Sequence, residues 1–198
     1  MSGAQVLRSR VRQQLRTAYR NLESYVCQPS LYPDDVYGVR LCNLACRSVE
    51  SGNFGVSALL ARWDGRVLFA GHNQIFEPFF RSDLHAEMVI LNRLERRMQG
   101  DSIGPRRLTL ISSVEPCPMC VSRMIIAGVQ QIRFIADDPR GGFAHRLGAL
   151  PPAWKDLLAG REIVRAKVSP YIREIATLIF GLTVHSLDRK LRGRFVCR

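Results

Sequence analysis

Lysine is nearly missing from this chain: Lys155, Lys167 and Lys190 are the only ones among 29 basic residues, and all the others are arginines. No unbroken apolar run reaches the eighteen or so residues that a membrane-spanning helix needs, which argues against such a helix. The opening stretch lacks the apolar core of a secretory signal, and no acid precedes Glu23. The six cysteines show no disulfide-framework spacing, and there is no second C-x-x-C to complete a zinc ribbon. No aromatic ladder interleaves the basic ends, so a platform for stacking single-stranded nucleic acid has no support.

What is present describes an ordinary folded domain. The chain has 198 residues, 46% hydrophobic and 23% charged, enough to bury a core and too apolar for disorder. Its net charge of +12 gathers at the ends, in Arg8, Arg10, Arg12, Arg16 and Arg20 and then in Arg189, Lys190, Arg192, Arg194 and Arg198. That balance suits an anionic partner such as nucleic acid, or simply a solvated surface. The arginine-rich start has the composition of an organellar transit peptide. It also reads as an amphipathic helix with Val6, Leu7, Val11, Leu15, Ala18 and Leu22 on one side, and this second reading is preferred.

Helical spacing predicts a helix over about 34–49, and Cys42 and Cys46, four apart within it, read as core. Residues 56–62 and 66–70 read as strands around the Asp64-Gly65 turn. A central helix is expected over 85–98, a strand over 108–112 after Gly104-Pro105, and a helix over 118–127 capped by Gly128. A strand over 132–136, a weaker one over 162–168 and a closing apolar helix over 171–186 complete the pattern. After the opening hairpin, strands alternate with helices, which is the signature of an α/β sheet covered on both faces.

The chemistry concentrates in two short segments, His85-Ala86-Glu87 and Pro116-Cys117-Pro118-Met119-Cys120. One imidazole and two thiolates make three ligands of the kind zinc prefers, and three protein ligands leave a fourth position open, as catalytic sites do. Cys117 and Cys120 share one face at the start of a helix, where the positive end of the dipole favours thiolate. His85 and Glu87, two apart, must sit at an irregular first turn, the imidazole toward the metal and the carboxylate toward water and substrate. His72, His145 and His185 are left as turn or surface residues.

The H-x-E and P-C-x-x-C segments, with Ser51-Gly52-Asn53-Phe54-Gly55-Val56 and Val67-Leu68-Phe69-Ala70-Gly71-His72-Asn73 before them, resemble the zinc-dependent cytidine deaminase superfamily. The likeness covers about residues 35–165, and it is greatest to the branch of guanine deaminases, cytosine deaminases and tRNA adenosine deaminases. It implies a three-layer sandwich, an approximately five-stranded mixed sheet with helices on both faces. The domain would run over 34–168, between a basic extension (1–33) and a C-terminal helix with a basic tail (169–198).

The resemblance further implies one zinc per chain on His85, Cys117 and Cys120, with Glu87 as proton carrier and Asn73 and Phe54 against the substrate. The implied reaction is hydrolytic loss of an amino group from a nucleobase, nucleoside or similar heterocycle. A tRNA adenosine-to-inosine activity is the second reading and a non-catalytic zinc scaffold the third. A reducing cytoplasm is expected from the free thiols, with organellar import as the alternative. A homodimer is expected from Ile172, Ile175, Ala176, Ile179 and Phe180, an apolar helix face that needs a cover; packing on its own sheet is the alternative.

Overall fold

The computed structural model describes residues 3–26, 31–97 and 108–194, with side chains from residue 9 onward in the first helix. Val6, Leu7, Arg8, Cys27, Met98, Gly104-Pro105, Cys197 and Arg198 therefore lie outside the described side chains. The elements are α1 (Gly3–Val26), α2 (Asp35–Glu50), β1 (Ser57–Ala61), β2 (Val67–His72), α3 (Ala86–Arg97), β3 (Thr109–Val114), α4 (Pro118–Ile126) and β4 (Gln131–Ala136). A 3-10 turn (Ala144–Ala149), α5 (Pro152–Leu158), β5 (Glu162–Arg165), α6 (Pro170–Gly181) and α7 (Val184–Gly193) follow.

The five strands form one mixed sheet in the order β2-β1-β3-β4-β5. β1 is antiparallel to both β2 and β3, whereas β3, β4 and β5 run parallel. The hairpin forms where the sequence places it: Gly65 adopts φ +82°, and the Arg62 N–H donates to the Arg66 carbonyl at 2.9 Å. Successive strand residues point to opposite faces. Leu59, Ala61, Ile111 and Ile135 therefore meet α2 and α6 on one side, and Ala58, Leu60, Leu110 and Ile132 meet α3 and α4 on the other. Both cores are closed, each fully buried Leu or Ile contributing about 1.5–3 kcal/mol.

α1 adds to the first core through Leu15, Ala18 and Leu22, and Tyr25 stacks on Tyr171 of α6 with ring centroids 5.4 Å apart. Its arginines Arg10, Arg12, Arg16 and Arg20 stay exposed. Cys42 and Cys46 are core residues, and burial pushes both thiols up, Cys46 to about 12.

The end of the chain differs from expectation. Instead of one helix over 171–186 there are two, broken at Leu182-Thr183. No proline marks the break, and helical periodicity carries straight through it. The turn is a tertiary one, in which the Gly55 N–H donates to Thr183 Oγ1 at 3.3 Å. The apolar face of α6 (Ile172, Ile175, Ala176, Ile179) is buried within the chain itself, so it gives no argument for a dimer. The fifth strand is also shorter, ending at Arg165 rather than 168.

Candidate active site

The His85-Ala86-Glu87 and P-C-x-x-C segments meet beyond the carboxyl ends of β3 and β4, where two helix N-termini face each other, the usual place for a site in an open α/β sheet. His85 is the residue just before α3, and its carbonyl accepts the Val89 N–H at 2.9 Å. Glu87 lies in the first turn of α3. Cys117 is the N-cap of α4 with an extended backbone (φ −73°, ψ 168°), Pro118 occupies the first turn, and Cys120 follows on the buried side. The offset of His85 and Glu87 expected from their two-residue spacing is thus realised by placing one outside the helix and one inside it.

The ligand-type atoms of His85, Cys117 and Cys120 all lie within 4.8 Å of one another. The Cys117 Sγ to His85 Nδ1 distance is 3.7 Å. The S···N edge of a tetrahedral zinc site with ordinary bond lengths is about 3.6 Å, so the set fits that ion in both donor chemistry and spacing. Charge is already partly arranged for it. A hydrogen bond from the Cys120 thiol, helped by His85, holds Cys117 down at about 4 in spite of burial. Donating that bond, together with burial, pushes Cys120 well above an ordinary thiol. Burial presses on His85 toward the neutral form, but the Cys117 sulfur and the Glu87 and Asp83 carboxylates outweigh it and its pKa rises.

Glu87 is buried and its carboxyl is raised, mainly by that burial. Its Oε1 accepts from Ser112 Oγ at 3.0 Å, and its Oε2 lies 3.4 Å from Cys120 Sγ. Ser112 was not singled out from the sequence. Its clue is a hydroxyl on a strand position that pairs with Ala58 and otherwise faces the α3 core.

A cavity of about 650 Å³ opens onto this cluster, lined among others by Phe54, Asn73, His85, Glu87 and Cys117. Cys120 is buried behind it. Asn73 is buried, and its Oδ1 accepts from the Ile75 N–H at 3.1 Å. Phe54 is half-buried with its ring 5.8 Å from that of Phe76. Two further anchors shape the rim. Asn53 Oδ1 accepts from the N–H groups of Phe76 and Glu77 at 2.7 and 3.1 Å and so ties down the loop after β2. Glu115 accepts from the Asp138 and His145 N–H groups at 3.2 and 3.3 Å and from His145 Nδ1 at 2.8 Å, fixing the loop after β4. Burial raises the Glu115 carboxyl, but the His145 contact and the backbone donors outweigh it and its pKa falls.

Of the three histidines set aside, His72 bonds the Asn73 carbonyl at 3.0 Å and His145 braces Glu115. His185 lies on α7, which lines the cavity. Nothing in the local pattern placed it there.

Residues 33–136 match the family model described as the cytidine and deoxycytidylate deaminase zinc-binding region. The tRNA-specific adenosine deaminase of Bacillus subtilis (strain 168) is 31% identical over 112 residues, which cover 55% of this chain and 65% of that protein. A protein of the same name from Aquifex aeolicus (strain VF5) is 26% identical over 98 residues, 62% of its length. The chain thus spans under two thirds of these curated relatives.

Among solved structures, one from a study of A-to-I editing by tRNA:A34 deaminases at the wobble position superposes with a TM-score of 0.59. It is 20% identical, and the match covers 73% of this chain and 99% of that one. The guanine deaminase from Nitrosomonas europaea gives 0.56 at 19% identity, over 79% and 87%. At these identities the structural likeness bears on the fold, which is the expected three-layer α/β sandwich.

Proposed function

The chain belongs to the cytidine and deoxycytidylate deaminase zinc-binding family, and on that premise we propose that it is a zinc-dependent hydrolase of C–N bonds that removes the amino group of a small nitrogen heterocycle as ammonia. The nucleobase or nucleoside class of substrate is favoured. The observation that carries this reading is a buried carboxylate, Glu87, next to a zinc-type donor set at the base of a cavity of about 650 Å³, a size typical of small-molecule sites.

His85, Cys117 and Cys120 would hold one zinc per chain. When bound, the metal supplies a Lewis acid that brings the pKa of water toward neutrality. Glu87 then carries protons. Its Ser112-anchored Oε1 fixes the rotamer. Oε2, which accepts from the Cys120 thiol until that group becomes a thiolate, is then left to take a proton from water, deliver it to the ring nitrogen and transfer the second proton to the departing amine. Oxygen from water ends on the carbon, the amino group leaves as ammonia, and Glu87 returns to its starting state. Asn73, with its oxygen engaged by Ile75, keeps its amide nitrogen to donate to a ring acceptor or carbonyl of the substrate. Phe54 offers a ring face to the base.

Ammonia release by the purified, zinc-loaded protein across cytosine, guanine, adenosine, cytidine and an adenosine-containing tRNA anticodon stem-loop tests the proposal. Turnover of none of them would refute it. Glu87 has no role in the reading as a non-catalytic zinc scaffold, and the same assay decides that alternative.

The tRNA reading is supported by the exposed Arg12, Arg16 and Arg20 along one side of α1 and by the names of the curated relatives. If it holds, neutralising those three arginines flattens the salt dependence of binding, because each phosphate contact releases counterions. A small-molecule substrate leaves kcat/KM unchanged.

A homodimer remains part of the proposal. With α6 covered, its support is the exposed Met119 and Ile126 on α4, beside the site. Light scattering at micromolar concentration would detect a monomer and end that idea. A reducing cytoplasmic setting accords with the free thiols of Cys42, Cys46, Cys117 and Cys120, and among the described residues no helix is long and apolar enough to cross a membrane.

A further inference from the structure

α7 forms one wall of the cavity although none of its residues is buried. Val184, His185, Asp188, Leu191 and Arg192, at the spacing of one helical face, line the cavity. Val184, Leu187 and Leu191 give the helix only a half-buried apolar stripe, and two cations beside that stripe add a second hold. Lys190 Nζ lies 4.6 Å from the centre of the Phe76 ring, and the Arg194 guanidinium carbon lies 3.7 Å from the centre of the Phe80 ring.

Both contacts are within the range where a cation is attracted to an aromatic face. The two cations are four residues apart and the two rings are 5.8 Å apart, so helix and loop match in pitch. Phe76 is in turn 5.8 Å from Phe54, which lines the cavity, so a continuous aromatic row runs from the clasp to the site. Asn53 holds the backbone at Phe76 and Glu77, so the ring against which Lys190 lies is fixed from the loop side.

We propose that Lys190 and Arg194 are positioning residues that hold α7 against the Phe76–Phe80 platform and so keep the substrate cavity walled. The claim rests on the cavity being the deaminating site. It also gives these basic residues a role other than contact with phosphate.

The test compares Lys190→Gln and Arg194→Gln, singly and together, with Phe80→Leu and the conservative pair Lys190→Arg and Arg194→Lys, all on the full zinc-loaded chain. Each lost contact is expected to raise KM by about two- to fivefold, since both cations are exposed, with kcat within about twofold. Zinc content and melting temperature should stay unchanged, and the conservative variants should restore KM. Arg194→Gln and Phe80→Leu should be non-additive, since each removes half of one contact. Amide exchange over 184–194 should quicken in the double variant while α6 is unaffected.

A double variant with wild-type KM, or with unchanged exchange in α7, overturns the proposal. So does a silent Phe80→Leu beside a damaging Arg194→Gln, the pattern of a cation that reads the substrate directly. If the unmodified protein turns over nothing in the substrate panel, the hydrolase reading fails instead, and the exchange measurement still decides the clasp.

Discussion

Replacing Glu87 by Gln probes the reaction at its centre with little disturbance to the fold. The side chain is 3% exposed, and its Oε1 accepts from Ser112. Glutamine is nearly isosteric and its carbonyl oxygen can keep that bond. What it cannot do is accept a proton. Removing a positioned proton carrier typically costs about 10²–10⁴ in rate, which is about 2.7–5.4 kcal/mol in the barrier. Glu87 is assigned two transfers in one cycle, so the fall in kcat should lie at the upper end, near 10⁴-fold.

Stability should move the other way or not at all. Burial raises the Glu87 carboxyl, which means that the charged form is disfavoured where it sits, and a neutral amide removes that burden. The measurement is ammonia release by wild type and variant on whichever substrate the panel identifies, with metal content and thermal unfolding run alongside. A variant that retains its zinc and its melting temperature and turns over within tenfold of wild type would refute the assignment of Glu87 as proton carrier.

Other outcomes follow from the same geometry. The purified protein should carry about one zinc per chain, and Cys117→Ala should lose most of it by elemental analysis; undiminished metal would show that the ligands lie elsewhere. Zinc affinity should rise with pH, by roughly tenfold per unit for each proton released. The sign follows from Cys120 and His85: both are raised, so at pH 6 each holds a proton that it must release, whereas Cys117, at about 4, is already a thiolate. Chelator competition at pH 6 and pH 8 reads this directly, and a pH-independent affinity would contradict it. Gly55→Ala should lower stability by about 1–3 kcal/mol in denaturant unfolding, because the added Cβ would meet the Ile179 carbonyl oxygen at 2.5 Å, and backbone there cannot yield as a side chain would.

Much of this protein was legible from its sequence. The ligand types and spacings of His85, Cys117 and Cys120, the offset of Glu87, the Asp64-Gly65 hairpin, the core cysteines and the alternation of strands and helices all follow from local rules, and local rules act within a few residues. The rest depends on contacts between residues far apart in the chain. Ser112 supports Glu87 only because α3 lies across β3, and His145 braces Glu115 only because the loop after β4 folds back over the P-C-x-x-C turn.

The apolar face of α6 carries no mark that its cover is its own sheet rather than a second copy, since hydrophobic burial is non-directional and any apolar surface serves. The break at Leu182-Thr183 is equally unmarked, because it is held by Gly55 from the other end of the domain. Sequence determined what the reactive groups are and which helix ends present them. Only the sheet order β2-β1-β3-β4-β5 decided that those helix ends meet, and only the turn after α6 decided that α7 closes the cavity they share.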